Sequence, residues 1–169
     1  MVETTSKIEL ALDKDNNFLA FRTETMANVG AYLSNFSTVT PTILHGTLMA
    51  GNYAVPNVYV NVKTVFTNTA PVDAYRGAGR PEATYSLERV IDKAATELGL
   101  DPTNLRRQNF IKSDQFPYVT AAGLNYDVGD YDAVMDRLEH HADLKGFAKR
   151  RKKSEAKGKL RGLGINSYI

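Results

Sequence analysis

Polar and apolar positions alternate almost from the start of the chain. Ile8, Leu10 and Leu12 are interleaved with Lys7, Glu9 and Ala11, the period-two pattern of a strand with one buried face. Asp13-Lys14-Asp15-Asn16-Asn17 supplies turn chemistry. A longer strand follows from Phe18 to about Asn28, so the two predict a hairpin. Between Gly30 and Gly51 the signals mix: residues 34–42 are rich in Ser, Thr and Pro, and residues 43–49 fit a short helix. Pro56 holds Val55 in an extended conformation. Val58, Val60, Val62 and Phe66 then alternate with Tyr59, Asn61 and Lys63 as a third strand, closed by Asn68-Thr69-Ala70-Pro71.

The period changes after residue 80. Leu87, Val90, Ile91, Ala94, Ala95 and Leu98 recur at three and four residues, one apolar stripe on a helix. Pro81 suits its first turn and Gly99 its end. Burying the stripe stabilises by roughly 1.5–3 kcal/mol per large side chain before entropy is charged, and a face of the three strands is the expected partner. Asp101-Pro102 starts a second helix with Leu105 and Phe110 inward; Phe116-Pro117-Tyr118 is irregular, and Leu124-Asn125-Tyr126-Asp127 fits a short strand. Asp130 caps a helix carrying Val134 and Leu138. A last amphipathic helix, with Leu144 and Phe147, runs into Lys149-Arg150-Arg151-Lys152-Lys153 and ends at Gly158. Residues 163–169 read as a strand that stops without a turn. The fold class expected is α+β, a small mixed β-sheet packed against helices. Both ends read as cut, so residues 1–169 are expected to be part of a domain in a longer chain.

Composition narrows the chemistry. With 169 residues, 43% hydrophobic and 24% charged, the chain suits one globular domain or two small lobes. It has no cysteine, which excludes disulfides, thiolate-ligated zinc, iron–sulfur clusters held by this chain and cysteine nucleophiles. No apolar run is long enough to span a membrane and no secretory leader is visible, so the expected location is the cytoplasm, with no membrane partner. A net charge of +2 is too small to argue for nucleic acid.

Several candidate sites read as ordinary structure. Asp13, Asp15, Asn17 and Glu24 match four calcium-loop positions, but Phe18 stands where the loop needs glycine, so a hairpin turn is expected. His140 and His141 are adjacent and would point about 100° apart on a helix, poorly placed to share a metal. His45 has no visible partner. The basic run from Lys145 to Arg161 reads as a solvated helix face. No Ser-His-Asp spacing or paired carboxylate stands out, so no catalytic residue and no metal ligand is assigned.

Tyr75-Arg76-Gly77-Ala78-Gly79-Arg80-Pro81-Glu82 is the most informative stretch. Small residues allow close backbone approach, arginines carry permanent charge in a fixed donor fork, and a helix starting at Pro81 offers unpaired N–H groups to an anion. A seat for a large anionic ligand and a plain strand-to-helix turn both remain open, since isolated Gly-x-Gly motifs are weak. Neither nucleotide fingerprint fits: Gly79 is followed by Arg80-Pro81 rather than Lys-Ser/Thr, and Glu82 occupies the third-glycine position.

The run Val65-Phe66-Thr67-Asn68-Thr69-Ala70-Pro71-Val72-Asp73-Ala74-Tyr75-Arg76-Gly77-Ala78-Gly79-Arg80-Pro81-Glu82-Ala83 resembles the active-site loop of the molybdenum hydroxylases, the large subunits of the xanthine dehydrogenase, aldehyde oxidase and carbon monoxide dehydrogenase family. The resemblance continues through Leu87-Glu88-Arg89, Glu97-Leu98-Gly99, Asp101-Pro102, Leu105-Arg106-Arg107-Gln108-Asn109-Phe110-Ile111, Gly123-Leu124-Asn125-Tyr126-Asp127 and Gly158-Lys159-Leu160-Arg161-Gly162-Leu163-Gly164. Upstream it includes Ala27-Asn28-Val29-Gly30-Ala31-Tyr32 and Tyr53-Ala54-Val55-Pro56-Asn57-Val58. It implies a molybdopterin-binding domain, with Arg76, Gly77 and Ala78 at a molybdenum–pterin cofactor in its cytosine dinucleotide form. It also implies an oxidoreductase that hydroxylates or oxidises a small substrate at an electron-poor carbon, electrons leaving through an iron–sulfur small subunit and an FAD medium subunit.

The departures from the family pattern limit the substrate. Gly77 stands where carbon monoxide dehydrogenases carry a copper-binding cysteine. Ala78 stands where xanthine enzymes carry phenylalanine, and their upstream arginine falls near Leu44. An aldehyde or a nitrogen heterocycle is therefore the expected substrate. The family's Gly-x-Gly-Glu segment with its catalytic glutamate, and its upstream glycine-rich cofactor segment, do not occur in these residues, so this piece alone is expected to hold no cofactor and to be inactive. The rival expectation is a stand-alone module gripping a phosphate ligand or RNA with the Arg76–Arg80 loop and the basic C-terminal helix.

Overall fold

A computed structural model describes residues 4–169. The alternating pattern at the start becomes strand β1 (Thr4–Leu12), antiparallel to β2 (Phe18–Gly30). The acidic turn between them is held by Asp13 Oδ1, which accepts from the N–H groups of Asp15 and Asn17 at 2.9 and 2.8 Å. The expected hairpin is there, and the calcium-like residues make the turn itself.

Strand β3 (Asn57–Phe66) runs parallel to β2, which makes β2 the centre of a mixed three-stranded sheet in the order β1-β2-β3. Along β2 the alternation is close to ideal. Phe21, Thr23, Thr25, Ala27 and Val29 are buried while Arg22, Glu24 and Met26 face outward. A parallel pair needs a long crossover, and residues 31–56 provide it. They include a π-helical turn (Thr40–Leu44) that passes directly into the short helix α1 (His45–Thr47). This helical piece begins earlier than the sequence pattern suggests, because Pro41 is well placed to open it.

Helix α2 (Arg80–Leu98) packs its stripe against the sheet. Leu87, Ile91 and Ala95 are buried, Val90 and Ala94 are half-buried, and Leu98 lies outside the core. Gly99, at φ 66°, ends the helix in the left-handed region. Helix α3 (Pro102–Asn109) is capped by Asp101, whose carboxylate accepts from the Thr103 and Asn104 N–H groups at 2.9 Å. Phe18, Tyr53 and Phe110 pack in sequence at ring-centroid separations of 5.4 and 5.6 Å, the second pair stacked, and join the helices to the sheet.

The two-stranded β4 (Tyr118–Val119) and β5 (Asn125–Tyr126) pair follows, then α4 (Tyr131–His141), capped by Asp130, and α5 (Phe147–Glu155). Two sequence expectations are corrected here. On α4 the buried residue is Met135, whereas Val134 and Leu138 are 63% and 47% exposed; the helix touches the core through one position rather than through a stripe. Residues 163–169 form no strand. No neighbouring strand lies alongside to pair with them among the described residues, and side chains take up some of their backbone groups instead: Ile165 O accepts from Arg106, and Ser167 N–H donates to Glu88.

Candidate functional site

The segment that leads into α2 is tied to the end of the central strand. Thr67 N–H donates to Gly30 O, Ala31 N–H to Thr69 O, and the Ser34 hydroxyl to Val72 O. From there the chain turns sharply. Gly77, Ala78 and Gly79 have φ of 113°, 44° and 91° in succession. Positive φ is costly for any residue with a side chain, so a left-handed Ala78 between two glycines marks a bend that its surroundings impose. Ala78 N–H bonds Tyr75 O and Arg80 N–H bonds Gly77 O, at 2.9 and 3.1 Å.

The glycines serve packing as well as torsion. A Cβ on Gly79 would lie 2.6 Å from Thr40 O and 2.7 Å from His45 N, so the bend rests directly on the π-helical turn. A Cβ on Gly77 would meet the Pro81 ring at 2.8 Å. The close approach that small residues permit is therefore used inward, to press the bend against the fold.

The outward side carries the charge. Arg76 is exposed and has no hydrogen-bond or ion-pair partner among the described residues; Arg80 is exposed and makes one bond, from Nε to Ile169 O at 3.2 Å. Neither guanidinium meets a side-chain carboxylate among the described residues. Arg76, without a partner among the described residues, and Arg80, with only its Nε engaged, stand at the N-terminal end of a 19-residue helix, a placement that favours an anionic ligand. Gly77 and Ala78 are half-buried beside them.

A contrasting arginine lies between α2 and α3. Arg106 has no exposed surface. Its Nε donates to Glu88 Oε2 at 2.8 Å and its Nη2 to Asp92 Oδ1 at 2.8 Å, with further bonds to the carbonyls of Pro102, Glu88 and Ile165. Tyr53 donates its hydroxyl to Glu88 Oε1 at 2.6 Å. Burial, and then the Glu88 carboxylate, hold the Tyr53 phenol well above its usual range.

The remaining candidates are surface features. His140 and His141 are exposed, their rings 5.6 Å apart. No group of three metal-ligating side chains occurs among the described residues. Helix α5 has no buried residue, so its basic run is a solvated face, and nothing in it favours the phosphate- or RNA-binding alternative. An open groove of about 420 Å³, lined by Thr42, Ile43, Gly46, Val58, Val60 and Val62, lies between the helical turn and the edge strand β3. No described helix is long and apolar enough to cross a membrane. Sequence reading named His45 without a partner; the structure buries it in the short helix beside the bend.

Comparison with known proteins gives the family. A family model described as "Molybdopterin cofactor-binding domain" matches residues 2–110. The 6-hydroxypseudooxynicotine dehydrogenase complex subunit gamma of Paenarthrobacter nicotinovorans is 32% identical over 96% of this chain and 21% of its own length. The carbon monoxide dehydrogenase large chain of Hydrogenophaga pseudoflava is 35% identical over 95% of this chain and 20% of its own. The crystal structure of quinoline 2-oxidoreductase from Pseudomonas putida 86 superposes with a TM-score of 0.84 at 30% identity, covering 92% of this chain and 20% of that one. The chain thus spans about a fifth of the length of these relatives. With more than half of its residues matched by the family model and its mixed sheet and helices shared with a solved relative, the chain belongs to the molybdopterin cofactor-binding domain family.

Proposed function

We propose that residues 1–169 are one part of the molybdopterin-binding region in the large subunit of a molybdenum hydroxylase, and that Arg76, Gly77 and Ala78 face the cofactor. The observation that carries this reading is the bend itself: three successive positive φ angles display two guanidiniums free of side-chain carboxylates at the head of α2. Arg76 supplies charge and donors to the anionic part of the cofactor. Gly77 and Ala78 present backbone and a single methyl, leaving room on the substrate side. When bound, such a cofactor supplies the two-electron redox chemistry for placing an oxygen atom from water on an electron-poor carbon. This chain's part is to hold the cofactor in position and to leave room beside it for the substrate.

The substrate class proposed is a nitrogen heterocycle or an aldehyde. The small Ala78 and the aliphatic Leu44 support it, as do the quinoline- and oxynicotine-directed names of two relatives. The partners proposed are an iron–sulfur small subunit and an FAD medium subunit, in the cytoplasm, with the cofactor in its cytosine dinucleotide form. Mass spectrometry of the released nucleotide tests the last point.

The principal experiment is molybdenum content. In the complete large subunit, Arg76→Ala removes a charge-assisted contact worth about 1.5–3 kcal/mol, so retention should weaken about ten- to a hundredfold while the protein stays folded. Unchanged retention in Arg76→Ala and in Arg80→Ala would remove the bend from the cofactor site. Rapid turnover of xanthine by the assembled enzyme would count against the substrate assignment.

A further inference from the structure

Four buried side-chain atoms lack a hydrogen-bond partner among the described residues: Thr40 Oγ1, His45 Nε2, Asn52 Oδ1 and Glu82 Oε2. Three of them belong to the elements that clasp Gly79. Thr40 and His45 stand at the two ends of the π-helical turn, joined by the bond from His45 N–H to Thr40 O. Gly79 presses on both of these backbone groups. Glu82 lies in the first turn of α2, just after the bend. His45 is 2% exposed and Thr40 4%.

Buried polar atoms are rarely left without partners, because each then loses its hydration with nothing in return. Three in the two elements that meet at Gly79 call for a common explanation. The Glu82 carboxylate acts on His45, raising its proton affinity, but burial outweighs it and holds the imidazole below its usual pKa. The ring is therefore neutral near pH 7, and its Nε2 can accept a hydrogen bond. Glu82 Oε2 is also an acceptor, and the Thr40 hydroxyl is a donor. One water has two hydrogens for the two acceptors and a lone pair for the donor, and buried waters commonly make two to four such bonds.

We propose that Thr40, His45 and Glu82 share one internal water behind the bend, and that through it His45 acts as a positioning residue for the Arg76–Arg80 edge. This rests on the bend being the cofactor-facing element. Gly79 rests on the backbone of the Thr40–His45 turn, and the water links that turn to the first turn of α2. The two elements whose relative placement sets the direction of Arg76 are thus joined by a hydrogen-bond relay rather than by apolar contact alone.

The test is a double-mutant cycle in the complete subunit, His45→Leu and Glu82→Leu singly and together, read by thermal midpoint and by molybdenum-to-protein ratio. A shared water predicts that each single substitution lowers the midpoint and that the pair lowers it by clearly less than the two shifts added, since coupled sites are non-additive. His45→Leu should also weaken molybdenum retention about tenfold, as loss of an outer hydrogen-bonding group does, and His45→Gln should restore it. Filling space alone would make Leu at least as good as Gln. Additive shifts, or single substitutions that raise the midpoint, overturn the proposal. Should His45→Leu fail to fold, Thr40→Val paired with Glu82→Leu gives the same cycle. If the wild-type subunit holds no molybdenum, the cofactor reading fails and the thermal cycle still decides the water. If it holds molybdenum and the cycle is additive, only the water fails.

Discussion

Arg106 and Arg76 carry the same guanidinium into opposite surroundings. Arg106 has no exposed surface and is satisfied by Glu88, Asp92 and three carbonyls. Arg76 is exposed, with no partner among the described residues, beside a backbone in three successive positive-φ conformations. The first is a joint: it binds α3 to α2 and holds Ile165 of the final segment. The second is an open hand. A buried charge keeps its place only if every donor is answered, whereas an exposed charge on a strained bend contributes little to stability and is free for a ligand. The pattern of partners, not the residue type, separates scaffold from site.

The comparison breaks most sharply at the joint. Arg106→Leu leaves the Glu88 carboxylate buried without its counter-charge, with only Tyr53 and Ser167 donating to it, and should cost about 3–5 kcal/mol, read as a large drop in the thermal midpoint. A shift like that of a surface substitution would show that the network is not structural. Next comes the bend. Gly79→Ala places a Cβ against Thr40 O and His45 N at a φ of 91° and should cost roughly 2–3 kcal/mol. Little loss of stability would mean that the bend does not rest on the π-helical turn.

Tyr53 sharpens the picture through pH. Its phenol is held well above the ordinary value by burial and by Glu88, and Tyr126, through burial, is pushed up to about 12. The folded chain therefore keeps these protons while the unfolded chain releases them near pH 10. Stability should be level below about pH 10 and fall as pH rises beyond it. Tyr53→Phe should lower stability at neutral pH by about 1–2 kcal/mol, since Glu88 loses a donor, and should flatten the alkaline fall; an unchanged slope would place the titration elsewhere. The smallest effect belongs to the open hand. Arg76→Ala should shift stability by less than about 0.5 kcal/mol, even as it weakens molybdenum retention. A large destabilisation would make Arg76 a second joint.

Much of this was legible in the chain. The hairpin from Thr4 to Gly30 follows from alternation and an acidic turn, and α2 from a stripe bounded by Pro81 and Gly99, because local propensity and burial pattern agree there. The bend was legible as a cluster of glycines and arginines, since φ preferences and fixed charge are properties of residue types. The final segment was misread because alternation states that a residue run can be extended, not whether a neighbour is present to pair with it. On α4, the choice of Met135 over Val134 and Leu138 depended on which side of the helix met the core.

The amino-acid order by itself thus determined the elements, the glycine-arginine bend and the family resemblance, all of which depend on residues near one another along the chain. Only the tertiary structure decided that Gly79 is needed for contact with Thr40 and His45, that Arg106 is answered while Arg76 is not, and that His45 is buried within the influence of the Glu82 carboxylate. Each of these joins residues distant in sequence, and no local preference records what a side chain meets once the chain has closed on itself.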